Sequence, residues 1–194
     1  MSYKDMLNTF IKLLQDNSLY LNDEIRKVPT TCCTNLTIDV LNFDLIKDHF
    51  NTTLGLTQND KLKSVDLLKI IPSINKILLI EMKEYDKTGL QSVTEFLIER
   101  TKTLRGKIYD SLLIILGIVG YYSIDSNFYK YFFSISSCAI RPIFISNISN
   151  KDFVISNIAS LPEFNISIIS RRIDSNIAFY NCEMFYNAIT KNTI

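Results

Sequence analysis

Two apolar runs meeting at one short turn constrain this chain more than any other stretch. Residues 65–71 read Val-Asp-Leu-Leu-Lys-Ile-Ile, Pro72-Ser73-Ile74-Asn75 follows, and residues 76–83 read Lys-Ile-Leu-Leu-Ile-Glu-Met-Lys. Leu- and Ile-rich runs of this length, bounded by turn residues, read as strands, and Pro72 ends the first because it cannot donate to a ladder. A hairpin closed by that turn sets Asp66 opposite Glu81. Directly opposed residues stand about 5 Å apart at Cβ, where like charges destabilise the pair unless something compensates them. A bound divalent cation meets that need. Side chains alternate along a strand, so Glu81 and Lys83 share one face while Leu78, Ile80 and Met82 take the other.

The residue types point to metal-assisted phosphate chemistry. Two carboxylates are hard donors suited to Mg²⁺ or Mn²⁺, which take one or two protein carboxylates and leave room for water and substrate phosphate. A lysine beside them can orient or deprotonate a metal-bound water, or neutralise charge developing on a scissile phosphate. Competing chemistries lack parts. His49 is the single histidine, so no paired-histidine site or H-E-x-x-H helix exists. With five glycines, the chain has neither G-x-x-x-x-G-K-[ST] nor G-x-G-x-x-G.

Asp66, the turn and Ile80-Glu81-Met82-Lys83 resemble the acid and E-x-K half-motifs of the PD-(D/E)XK nuclease superfamily. Leu78-Leu79-Ile80-Glu81-Met82-Lys83 is similar to the corresponding strand of archaeal Holliday-junction resolvases and RecB-like nucleases. The likeness spans residues 64–83, and Val65 stands where the superfamily's name has proline. It implies a restriction-endonuclease-like α/β fold, with Asp66, Glu81 and Lys83 catalytic, Asp66 and Glu81 holding Mg²⁺ or Mn²⁺, and nucleic acid as partner. Members usually add an acid from a preceding helix, for which Glu24 and Asp44 are candidates. They continue into a helix that shapes the site, where Gln91 would stand near the start of residues 90–101.

At 194 residues, 47% hydrophobic and 21% charged, the chain suits one domain with a sizeable core. We expect a core over about 1–146 and a β-rich C-terminal extension, 147–194, of the same domain. The net charge of +1 leaves any phosphate-binding surface local. Arg100, Lys102, Arg105 and Lys107 are its best candidate and also read as the solvated start of a helix. Arg171-Arg172 could touch phosphate at a hairpin tip or cap an exposed strand end. The aromatics between Tyr121 and Phe133 could stack on bases, though packing is the commoner use. Cys32, Cys33, Cys138 and Cys182 form no C-x-x-C pair and read as free thiols, which suggests a cytoplasmic location. The longest apolar run, 112–122, falls short of the roughly 20 residues of a membrane span.

Along the chain, Leu7, Phe10, Ile11 and Leu14 predict an amphipathic helix over 4–15. Residues 16–29 read as loop and 30–40 as β-leaning, and Asn42 suits the cap of a helix through Phe50. Residues 51–63 read as loop. Helices are expected over 90–101 and 104–122, separated near Thr103. Strands are expected over 139–146, 152–158, 165–172 and 176–182, and a final helix over 183–190. The sum is a mixed α/β sheet flanked by helices. Its leading function is metal-dependent hydrolysis of DNA or RNA phosphodiesters. The alternative is a catalytically inactive, nuclease-like binding protein, an inhibitor or adaptor of viral or mobile-element origin with a protein partner. Either form could be a homodimer. A plain structural or oligomerisation domain, in which Asp66 and Glu81 do not converge, is the third possibility.

Overall fold

A computed structural model describes residues 2–20, 22–24, 33, 37–122, 139–149, 152 and 177–194. Helix α1, Tyr3–Asp16, starts at a capping box in which the side chain of Ser2 accepts from the Asp5 amide and the Asp5 carboxylate accepts from the Ser2 amide. Met6, Leu7, Phe10 and Leu14 are fully buried along its apolar stripe. Strand β1, Asn22–Glu24, occupies part of a segment that reads as loop from sequence, and pairs antiparallel with β2, Asp39–Asn42. The Asn42 side chain accepts from the Leu45 amide and caps α2, Phe43–Thr53.

The central hairpin has the expected register. Strand β3, Leu67–Ile71, pairs with β4, Lys76–Met82, through Leu67 opposite Ile80 to Ile71 opposite Lys76. A 3-10 turn, Pro72–Ile74, joins them, and Asn75 takes the left-handed conformation at φ 54°, which a short polar side chain tolerates. Residues 65, 66 and 83 lie just outside the ladder.

From β4 the chain crosses through one long helix, α3, Val93–Tyr121, to β5, Ala139–Ile145, which runs parallel to β4. The break expected near Thr103 is not there. The Thr103 hydroxyl donates back to the Arg100 carbonyl, so a residue that can disrupt a helix is absorbed by it. The helix begins at a Ser92–Glu95 capping box, two residues after the expected Leu90. Strand β6, Ala178–Tyr180, runs parallel to β5, and helix α4, Cys182–Thr190, follows. Pro142 sits within β5, one residue before the first described β5–β6 pair, Ile143 with Ala178. Apart from Asp152, the strands expected over 152–158 and 165–172, together with Arg171, Arg172 and most of the aromatic cluster, lie outside the described residues.

Among the described residues the sheet has six strands and is mixed, in the order β1-β2-β3-β4-β5-β6. Strand β4 is buried on both faces from Ile77 to Met82, as a strand with a parallel neighbour and a layer on either side must be. On one face Leu68, Ile77, Leu79 and Phe144 pack against α1, α2 and α3 through Phe10, Phe43, Leu104 and Ile108. On the other, Leu67, Leu78, Ile80, Met82 and Ile143 meet Phe185 and Ala188 of α4. Alternation thus sends Glu81, of the same parity as Ile77 and Leu79, to the α3 side. Among the described residues, no helix is long and apolar enough to cross a membrane.

One expectation about covalent structure is overturned. Cys33 and Cys182 form a disulfide across 149 positions. The fold brings Cys33, in the second-face core, to the first residue of α4 with Cα atoms 5.2 Å apart, within the range a disulfide spans. The free-thiol argument for a cytoplasmic location falls with that pairing, which no local spacing announces.

Candidate active site

Asp66 is held from three sides. Its own carbonyl accepts from the Phe43 amide at 3.1 Å. The segment leading to it is tied to α3, because Asp110 accepts from the Lys63 amide and Ser111 from the Val65 amide, both at 3.0 Å. Its carboxylate Oδ2 accepts from the Met82 amide at 2.7 Å, across the end of the hairpin. The β3–β4 register delivers the acid to that place, and the amide fixes its rotamer.

Glu81 is the most buried member, its side chain 4% exposed. Lys83 Nζ lies 2.9 Å from Glu81 Oε1 and 3.4 Å from Asp66 Oδ2, so all three sequence-predicted catalytic residues converge. A fourth joins them. Lys107 Nζ reaches Glu81 Oε1 at 2.7 Å, Glu81 Oε2 at 3.0 Å and Asp66 Oδ1 at 3.6 Å. The repulsion between opposed acids is therefore balanced by two ammonium groups, giving a cluster of two negative and two positive charges.

Burial raises the Glu81 pKa above its ordinary 4.5, reinforced by the Asp66 carboxylate and opposed by the two lysines. For Lys83, burial disfavours the charged form, but the Glu81 and Asp66 carboxylates outweigh it and the pKa rises above 10.5. Lys83 is thus firmly an ammonium.

The other expected site residues go elsewhere. Lys102 is exposed and Arg105 half-buried on α3, and the Arg100 guanidinium sits over the Phe96 ring, 5.6 Å from its centroid. Of that basic group, Lys107 is the member paired with the acids; its place among surface cations is corrected because its turn of α3 faces β4. Gln91 precedes the Ser92 cap, is exposed, and donates to Glu99 rather than reaching the acids. Asp44 accepts from Lys47 at 2.7 Å and from Ser64 at 3.0 Å, two residues before Asp66, and its side chain is half exposed. Glu24 lies on the outermost strand β1, three ladders from β4. Among the described residues no group of three or more His, Cys, Asp or Glu could hold a metal.

Lys107 left one signal in the sequence. It falls three residues after Leu104 and four before Ser111, inside the stripe that α3 turns to the sheet, where a cation needs a buried partner. Asp66 and Glu81 fit Mg²⁺ or Mn²⁺ in donor type and number, with water and phosphate completing the shell. Just beyond Lys83, residues Glu84, Tyr85, Asp86, Lys87 and Asn147 line an open cleft of about 490 Å³. Asn147 shapes it by accepting from the Tyr85 amide at 2.7 Å and donating to the Tyr85 carbonyl at 2.9 Å. Compared with known protein families, curated proteins and solved structures, the chain matches none.

Proposed function

We propose that this chain is a metal-dependent nuclease of the PD-(D/E)XK type, built on a restriction-endonuclease-like sheet. One observation carries the reading: Lys83 lies within 3.4 Å of both Asp66 and Glu81 at the end of a hairpin, and all three side chains are mostly buried. The β3–β4 hairpin followed by the β4-α3-β5 crossover is in keeping with that fold. Charged groups so placed are costly to bury, and such arrangements cluster at functional sites.

Asp66 and Glu81 would hold Mg²⁺ or Mn²⁺, which supplies Lewis acidity and a water of lowered pKa. The protein's own part is positioning. The Met82 amide holds Asp66 Oδ2, leaving Oδ1 turned toward Lys107. Lys83, beside both acids, is suited to orienting the attacking water and neutralising charge on the phosphate. The open cleft past Lys83 gives a phosphodiester strand room to approach.

Cleavage of single- and double-stranded DNA and RNA in Mn²⁺ or Mg²⁺ tests the reading. Cleavage that needs the ion and is abolished in Lys83→Ala and Asp66→Asn is expected. Activity equal in wild type and Lys83→Ala overturns it, as does no cleavage of any substrate by folded protein. A second reading, an inactive binding protein, is favoured by Lys107, which together with Lys83 balances the charge of the acid pair without any ion. An unchanged melting temperature on adding Mn²⁺ would support it.

A further inference from the structure

We propose that Lys107 is a built-in, displaceable counter-ion that sets how tightly Asp66 and Glu81 take a divalent cation. The inference rests on the proposed metal site, but concerns a residue that the E-x-K pattern does not contain.

Three observations combine. Lys107 Nζ contacts both carboxylates, at 2.7 and 3.0 Å to Glu81 and at 3.6 Å to Asp66, so its charge lies between the two side chains that would hold a metal. It arrives from α3, whereas both acids belong to the hairpin, so it can withdraw without moving either ligand. Its side chain keeps 23% of its surface exposed, against 4% for Glu81, which leaves the flexible stem a path toward solvent. Lys83 also touches both acids, at 2.9 Å to Glu81 Oε1 and 3.4 Å to Asp66 Oδ2, but it comes from the end of the strand that carries Glu81 and is tied to the hairpin.

An ammonium and a divalent cation cannot both sit between the same two carboxylates. Binding of an ion by Asp66 and Glu81 would therefore be coupled to withdrawal of Lys107 from the two carboxylates. Lys107 lowers metal affinity and keeps the empty acid pair from repelling itself. It is a positioning residue, and its removal has an effect that loss of ordinary packing does not: affinity for the ion rises.

The test measures Mn²⁺ binding to the full chain by titration calorimetry and by the loss of the free-ion paramagnetic resonance signal. Wild type is compared with Lys107→Met, Lys107→Gln and, as a control on the opposite face of the sheet, Lys191→Met. Lys107→Met should bind Mn²⁺ tighter by on the order of tenfold or more, since one full charge leaves the donors. Lys107→Gln, which keeps a donor without charge, should follow it, and Lys191→Met should match wild type. Circular dichroism confirms folding, and Lys107→Gln decides the matter if Lys107→Met does not fold. Unchanged or weaker Mn²⁺ binding in folded Lys107→Gln overturns the proposal. Because the readout is binding, tighter binding without nucleic-acid cleavage sinks the nuclease reading alone, and cleavage with unchanged affinity sinks the counter-ion alone.

Discussion

Lys107 of α3 and Glu81 of β4 are joined by two contacts, 2.7 and 3.0 Å from one ammonium to the two oxygens of one carboxylate. The carboxylate is almost wholly buried and serves Lys83 as well. Removing one partner of a buried ion pair leaves the other uncompensated, at a cost of about 3–5 kcal/mol. Here the lysines retain some solvent and Asp66 remains nearby, so the lower end applies. Glu81→Ala should destabilise the protein by about 3 kcal/mol in urea unfolding. A loss below about 1 kcal/mol, the range of surface pairs, would mean that the cluster contributes as an exposed pair does.

Two glutamates should titrate in opposite directions. Burial raises the pKa of Glu81 above 4.5, so its contribution to stability is present below 4.5 and lost as pH rises through the folded-state value. Hydrogen bonds from the Ser92 backbone and side chain lower the pKa of Glu95, so its contribution is present above 4.5 and lost as pH falls through the folded-state value. Carboxyl-detected NMR should place the two midpoints on opposite sides of 4.5. In urea unfolding across pH, Glu95→Gln should remove part of the acid-side loss and Glu81→Gln part of the decline above 4.5. Both midpoints on one side would contradict the burial assigned to Glu81.

Two glycines of α3 should respond oppositely to alanine. A Cβ at Gly117 would collide with Phe50 Cζ of a core ring, and Gly117→Ala should cost about 1–3 kcal/mol through overpacking. A Cβ at Gly106 meets nothing within 4 Å, and Gly106→Ala should stabilise by about 0.5–1 kcal/mol by restricting the unfolded chain. Thermal unfolding of the two variants checks both signs. Destabilisation by Gly106→Ala would argue against one continuous α3.

The Cys33–Cys182 bridge makes a chemical prediction. Under denaturing, non-reducing conditions at most two of the four cysteines should react with a thiol reagent, and all four after reduction. A crosslink closing so long a loop restricts the unfolded chain, and Cys182→Ser should cost about 2–5 kcal/mol. Four reactive thiols without reductant would remove the bridge.

Local pattern made much of this fold legible. The stripe of Leu7, Phe10 and Leu14, the cap at Asn42, the turn 72–75 and the register of Asp66 and Glu81 each depend on residues near one another in the chain. The convergence of Asp66, Glu81 and Lys83 follows from that register, because strand parity leaves few other places for them. Thr103 misled because its hydroxyl competes for the backbone in either outcome, and only packing of α3 along the sheet selects the continuous helix.

Sequence alone thus determined the hairpin, the faces of its residues and the presence of opposed acids in need of a cation. Tertiary structure decided what meets that need in the protein itself: a lysine 26 positions from Glu81, brought back by the β4-α3-β5 crossover. It also decided the 149-residue disulfide. The physical reason is range. Alternation and capping act over two to four residues, whereas charge compensation and crosslinking depend on distances in space that only the packing of α3 and α4 against opposite faces of the sheet creates.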